Sequence, residues 1–434
     1  MNQGDRLGLW EAVALAVGTM IGASIFSIFG LGADIAGHNL PLVFVLSGLL
    51  ALLVAYSYAH LGARIVSNAG PMEFILRGLG DNLLTGALSI LTWFTYVVSI
   101  ALFAKGFAGY FLPLLGAAAT PLATGVVETA LIALFTALNF FGSRAVGRAE
   151  FIIVLVKVSV LGLFVVLGIW SVRPEWIKPV FDPLHDRHLL DATAIFFLSY
   201  MGFGLITNAS ENIENPARNV PRAIYLSILV VTVIYVGVAV VAVGNLPLEE
   251  LKKAQDYALA EAARPFLGHF GYVLVSLGAL FSIASAMNAT LYGGANIAYA
   301  LARDGELPEI FERKVWFSAP EGLYITSGLG LLFALFFDIN GIASITSAVF
   351  MVIYLSVLYA HYRLSGRYGG NRAFILFALV AVMTIFGVLL HYQWQTDRAA
   401  FNATWVSFAA ALGLETLYRG ISRRKLTRRQ VETS

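Results

Sequence analysis

The sequence predicts an all-α membrane protein with twelve transmembrane helices, the first and sixth of them broken at mid-membrane. Three observations lead there. Of 434 residues, 59% are hydrophobic and only 12% charged, against about 25% charged in an ordinary soluble domain. Apolar stretches near twenty residues recur along the chain, the length a helix needs to cross about 30 Å of hydrocarbon. Two of these stretches carry small, poor helix formers at their centres. One is Gly18-Thr-Met-Ile-Gly22-Ala-Ser24-Ile-Phe26, and the other is Ser199-Tyr200-Met201-Gly202-Phe203-Gly204.

The apolar stretches run 9–33, 41–63, 83–112, 123–142, 150–171, 190–209, 222–244, 269–299, 323–338, 342–361, 373–391 and 400–418. Span 1 begins at Leu9 and is too long for a cleaved signal segment, so it is expected to be retained. Glycine inside a helix costs about 1 kcal/mol relative to alanine. An unwound turn also leaves N–H and C=O groups unpaired, which hydrocarbon tolerates only where they line a cavity. The interruption of span 6 repeats this feature, and a matched pair is the best sequence pointer to the central site of a transporter. The expected ligand-binding residues are therefore Gly18, Thr19, Ile21, Gly22, Ala23 and Ser24 from the first interruption, with Ser199, Tyr200, Gly202 and Phe203 from the second. The competing reading is that the glycines serve close helix packing, as small residues do in membranes.

Span 3 carries Lys105 beside Gly106 and Gly109, read as a lysine reaching for the interface. Span 5 carries Lys157 within Phe151-Ile-Ile-Val-Leu-Val-Lys157-Val-Ser-Val-Leu161, too deep for that explanation. An ionisable residue inside the membrane is a functional candidate by default, and burial moves lysines toward titration at ordinary pH. Leu248 to Arg264 is amphipathic (Leu251, Ala254, Leu259, Ala262) and is expected to form a short interfacial helix. Glu150 and Arg148 at the end of span 5, like Glu211 and Glu214 after span 6, read as interfacial charge.

Basic residues set the orientation. With the N-terminus cytoplasmic, nineteen Lys and Arg fall on the cytoplasmic side and seven on the other. Both termini are therefore expected in the cytoplasm, with the basic run from Arg419 to Arg429 against anionic lipid. A cell-membrane location follows. Without cysteine there are no disulfides or thiolate sites, and the scattered histidines lack metal-ligand spacing. No nucleic-acid partner, metal or organic cofactor is expected.

The loop after span 6 reads Ser210-Glu211-Asn-Ile-Glu214-Asn215-Pro216-Ala-Arg218-Asn-Val-Pro221-Arg222. After span 8 the chain reads Tyr292-Gly-Gly-Ala-Asn296-Ile-Ala-Tyr299-Ala-Leu-Ala-Arg303-Asp304-Gly305-Glu-Leu307-Pro308. With the broken first span, these resemble the amino acid–polyamine–organocation (APC) superfamily over essentially the whole chain. Around spans 5 and 6 the likeness is greatest to its archaeal proton-coupled amino acid transporters. The resemblance implies the LeuT-like 5+5 inverted-repeat fold. Residues 1–171 would form the first repeat, 190–361 the second, 373–418 two peripheral helices and 419–434 the tail. It also implies a substrate site between broken spans 1 and 6, and proton-coupled uptake of amino acids.

The residues agree on physical grounds. The half-helix from Gly22 offers free N–H groups and the positive end of its dipole to a carboxylate. Carbonyls near Thr19 and Ser199 to Gly202 suit an ammonium. Ile21, Ala23, Phe197 and Phe203 would wall the side-chain pocket, favouring neutral amino acids such as Ala, Ser or Leu. In the resembled transporters the lysine matching Lys157 stands where sodium-coupled relatives hold their ion. The same place here is bounded by Gly18, Ser282 and Ser285. Lys157 is thus the expected proton-coupling residue, with the proton as coupling ion and sodium excluded by charge; the alternative is a permanently charged lysine filling a vestigial ion site. Leu198 stands where arginine/agmatine exchangers carry a gating tryptophan, which argues against that exchange. Amino acid or polyamine antiport is the second reading, although the interruptions lack the carboxylates a dication would want. A channel lacks its charge rings here, an intramembrane enzyme lacks a nucleophile–base pair, and a monomer is expected.

Overall fold

Hydrocarbon leaves no backbone polar group solvated, so an open spanning chain has to satisfy its hydrogen bonds within helices. The computed structural model obeys this. It describes residues 7–67, 69–139, 146–303, 307, 309–311, 313–314 and 321–422. Arg6, Arg144, Asp304, Gly305, Pro308 and the tail beyond residue 422 lie outside the described residues, as do the side chains of Ala23, Arg148, Glu150 and Arg303.

Span 1 is α1 (Leu9–Met20), then α2 (Ala23–Ser27) and α3 (Phe29–Ala36). Pro41 near its start and a long apolar run rich in Leu and Val carry α4 (Leu40–Gly62) across as span 2. A short helix that composition did not reveal, α5 (Pro71–Leu79), leads to α6 (Leu83–Leu114). Asn82 caps α6 by accepting from the Thr85 N–H, and Thr120 caps α7 (Pro121–Leu138) through Ala123. Then come α8 (Val146–Gly168), α9 (Pro183–Phe196), a 3-10 segment (Phe197–Gly204) and α10 (Leu205–Asn208). They are followed by α11 (Pro216–Asn245), α12 (Leu248–Ala254), α13 (Ala258–Ala262) and α14 (Arg264–Arg303), which is kinked at Gly268. The chain closes with α15 (Glu321–Phe336), α16 (Ile339–Tyr368), α17 (Arg372–Thr396) and α18 (Arg398–Ser422).

By length and composition, ten helical stretches among the described residues are able to cross a membrane. Expected spans 9 and 12 account for the difference from twelve. The first is α15, only sixteen residues long. The second is α18, twenty-five residues long but punctuated by Asn402, Glu415 and Arg419.

Two sets of ties define the ends of the bundle. At the end bearing the described termini, Leu7 pairs with the segment after α10. Its N–H donates to Asn212 O (2.8 Å) and its carbonyl accepts from Glu214 N (2.9 Å). At the far end, Asn39 clasps Val180 in both directions, at 2.7 and 2.8 Å. Leu248 to Arg264 also lies there, but not as an interfacial helix on lipid. Leu251, Leu259 and Ala262 are fully buried and Ala254 nearly so, because α12 and α13 pack on α3 and α14. The apolar face expected to meet the bilayer meets protein instead.

Candidate functional site

The first interruption is a true break. Ile21 (φ −80°, ψ 79°) and Gly22 (φ −128°, ψ −139°) leave helical geometry, and α2 resumes at Ala23. Gly22 has no side chain with which to cap α2, so the first N–H groups of the new helix have neither a carbonyl one turn back nor a cap. With only Ile28 between them, α2 and α3 run on as one half-helix whose positive end points into the break.

Three carbonyls freed by the break are each taken by a side chain from a different span. Lys157 Nζ on α8 donates to Gly18 O at 2.5 Å. The Tyr235 hydroxyl on α11 donates to Met20 O at 2.6 Å, and Ser282 Oγ on α14 donates to Ile21 O at 3.0 Å. All three donors are buried; even Lys157 is only 1% exposed. An orphaned buried carbonyl costs on the order of 1–3 kcal/mol, so spans 5 and 8 support the break at Gly18 and Ile21, while span 7 adds a donor to Met20 O, which also accepts from Gly22 N and Ser24 Oγ within the break. At Gly18 the helices nearly touch: a Cβ there would lie 2.3 Å from Val154 Cγ2.

The second interruption takes a different form. Phe197–Gly204 tightens into eight residues of 3-10 helix, much longer than the three or four residues usual for this geometry. Three residues per turn sort the side chains into rows. Phe197, Tyr200 and Phe203 form one row and pack into the core: Phe197 and Phe203 on Tyr354, Phe203 also on Tyr58, and Tyr200 on Tyr235. The Tyr200 hydroxyl donates to Phe44 O at 2.8 Å. Leu198, Met201 and Gly204 form the second row and line a cavity. The third row faces α1. Ser199 O lies 3.5 Å from the Tyr235 hydroxyl, and a Cβ at Gly202 would stand 2.8 Å from Met20 N. Tyr235 thus spans the two interruptions.

The cavity, about 150 Å³, runs from Gly22, Ser24 and Phe103 past Leu198 and Gly202 to Asn208 and Pro71 at the terminal end. No charged side chain lines it among the described residues. Its hydroxyls are mostly committed as donors to their own helices. Thr19 donates to Leu15 O, Ser24 to Met20 O, Thr95 to Thr92 O, Ser99 to Thr95 O and Thr346 to Ile342 O. A hydroxyl whose proton is spent still presents lone pairs. The wall is therefore rich in acceptors, while the free N–H groups of α2 supply donors at one end.

Of the residues the sequence points to, Thr19, Gly22, Ser24 and Gly202 line this cavity. Gly18 and Ile21 lie behind it, presenting their carbonyls to Lys157 and Ser282. Ser199, Tyr200 and Phe203 stand outside the wall, as does Phe197, because of the 3-10 row structure. Ala23 opens α2. Ser282 and Ser285 are buried on α14, and Ser282 serves the Ile21 carbonyl. Residues that the sequence did not single out complete the site: Thr95, Tyr96, Ser99 and Phe103 of α6, Thr290 of α14, Thr346 and Phe350 of α16, and Tyr235. The Thr92-x-x-Thr95-x-x-x-Ser99 spacing, one face of a helix, was the available signal. Lys105 also differs from expectation: it reaches the fully buried Glu128 of α7 at 3.1 Å rather than the interface.

The family model for amino acid permeases matches residues 7–414. An uncharacterized protein of Methanocaldococcus jannaschii is 61% identical, the match covering 96% of each chain. The inner membrane transport protein YbaT of Escherichia coli is 34% identical, covering 95% of this chain and 96% of its own. A methylthioribose transporter of Bacillus subtilis is 28% identical over 96% of this chain and 93% of its own.

Proposed function

The chain belongs to the amino acid permease family, a family of membrane transporters and not of enzymes, and from that premise we propose that it imports neutral α-amino acids together with protons by alternating access. The observation that carries the reading is the pairing at the first break of uncapped α2 N–H groups with an acceptor-lined cavity that has no charged side chain among the described residues. A carboxylate caps α2 and an ammonium takes hydroxyl and carbonyl oxygens, so the site recognises the zwitterion common to all amino acids. Side chains without charge suit the rest of the wall.

Coupling is assigned to Lys157. Protonated, it bridges α8 to the Gly18 carbonyl and holds α1 in one arrangement; deprotonated, it can no longer donate in the same way, and the balance between inward- and outward-open states shifts. A cationic side chain at that place disfavours sodium. The reading includes a LeuT-like pair of inverted repeats (1–171 and 190–361), peripheral helices at 373–418, cytoplasmic termini, a cell-membrane location and a monomer. The terminal end of the bundle is then the cytoplasmic face.

Reconstitution tests it. Purified wild-type protein in liposomes is expected to accumulate alanine when the outside is made acidic. Lys157→Ala is expected to lose accumulation while retaining alanine counterflow. Gradient-driven accumulation by Lys157→Ala would remove Lys157 from coupling. Uptake of methylthioribose in place of any amino acid would overturn the substrate class.

A further inference from the structure

The far end of the bundle holds charged groups that the transport site does not use. The tip between α12 and α13, Gln255–Tyr257, is wedged between two helices at two glycines. A Cβ at Gly30 of α3 would lie 2.2 Å from Gln255 O, and one at Gly109 of α6 would lie 2.4 Å from Asp256 Cβ and 2.7 Å from Asp256 Oδ2. Gln255 accepts a positive φ of 44° to fit this seat. Asp256 therefore enters the bundle one helical turn from Lys105, on the same face of α6. Lys105 is already engaged: its ammonium lies 3.1 Å from Glu128, whose side chain is wholly buried. One partly buried ammonium thus serves two carboxylates.

We propose that Asp256 is a second proton-binding site, at the outer face, and that taking up its proton seats the loop tip and closes the path to the cavity from outside. This rests on the proposed orientation and proton coupling, but its geometry is independent of Lys157. Burial raises the Asp256 carboxyl to about 6; Lys105 opposes that shift, and Asp338 and Glu128 reinforce it. The sign follows. A carboxyl raised in the seated state stabilises that state fully below its ordinary value near 4, and the stabilisation is lost as pH rises through about 6. The other ionisable groups on the packed elements are already paired or lie farther along. Asp34 of α3 meets Lys252 of α12 at 3.8 Å, and Lys252 also meets Glu249. Glu261 of α13 pairs with Arg264. The Tyr110 hydroxyl of α6 donates to Phe26 O. Glu250 and Lys253 complete α12, Tyr257 ends the tip, Tyr272 stands on α14, and α2 carries no ionisable group.

The chain has no cysteine, so single-cysteine labelling reads the loop directly. Ala33, one turn beyond Gly30 and fully buried, is replaced as Ala33→Cys; Glu175→Cys, exposed at the same end, corrects for thiol chemistry. Proteoliposomes are labelled with an impermeant maleimide from outside, between pH 4.5 and 7.5. The ratio of Ala33→Cys to Glu175→Cys labelling is expected to rise at least threefold, with a midpoint near pH 6. Asp256→Asn, a neutral mimic, is expected to hold the ratio low and flat. Gly109→Ala, which fills the seat, is expected to hold it high and flat, so misfolding cannot imitate both. A flat ratio in the parent protein, or the same direction of change in both variants, overturns the proposal. Alanine flux measured in the same vesicles separates the two readings: flux with a flat ratio leaves the transport function standing without Asp256. A titrating ratio without flux of any amino acid does the reverse.

Discussion

Replacing Gly202 by alanine tests whether the two interruptions depend on each other's backbone. The added methyl would sit 2.8 Å from Met20 N, 2.9 Å from Met20 Cγ and 3.0 Å from Thr19 Cβ. Two of these neighbours cannot rotate away, so the cost belongs at the upper end of the 1–3 kcal/mol typical of overpacking, about 3 kcal/mol. Alanine's better helix propensity returns about 1 kcal/mol. The remainder, about 2 kcal/mol, is a factor of about 30 in the folded or correctly packed population. Gly204→Ala is the matched control. It lies in the same 3-10 segment and gains the same propensity, but its nearest neighbour, Tyr58 Cε1, is at an ordinary 3.4 Å. Thermal unfolding of the two purified variants in detergent is the assay. A clear fall in midpoint for Gly202→Ala and none for Gly204→Ala is expected. Equal midpoints would refute the close approach of the two interruptions.

Three further outcomes are expected. Tyr235→Phe removes the hydroxyl shared by Met20 O and Ser199 O; hydrogen bonds between membrane helices are worth about 0.6 kcal/mol and at most about 1.7, so alanine counterflow should fall about threefold, and an unchanged rate would count against the bridge. Ser282→Ala orphans the Ile21 carbonyl and should lower counterflow by a similar amount, with Ser282→Thr restoring it. Arg419→Met removes the guanidinium that Glu415 (2.5 Å) and Asp81 share. Because Arg419 is partly exposed, the loss is about 1 kcal/mol, so a modest fall in the unfolding midpoint is expected, and an unchanged midpoint would count against the cluster.

Membrane class and most helix positions were legible because apolar length is a strong signal. The break was legible because Gly18, Gly22 and Ser24 gather poor helix formers at mid-span; of these, Gly22 sits in the break itself, whereas Gly18 stays helical and serves close packing against Val154. What composition could not reveal was the rotation of the second interruption. Phe197 and Phe203 read as pocket wall and Tyr200 as a ligand-binding residue, yet 3-10 geometry turns that row into the core and brings Leu198, Met201 and Gly204 to the cavity. Local propensity does not choose between 3-10 and unwound backbone; contact with α1 and α16 does. The α6 wall was missed for a related reason: Thr95 and Ser99 sit in a span apolar all round, where facing is decided by neighbours. Likewise Lys105 had a counter-ion in Glu128 that only the packing of α6 on α7 brings close.

The most direct experiment asks which part of the ligand the first break holds. Alanine counterflow in proteoliposomes is challenged with ethylamine, which lacks the carboxylate, with propionate, which lacks the ammonium, and with leucine, which keeps both. Competition by leucine alone is expected, since the free N–H groups of α2 and the acceptor-lined wall are each needed. Inhibition by ethylamine or propionate as strong as that by leucine would contradict recognition of the zwitterion at Gly22 to Ser24.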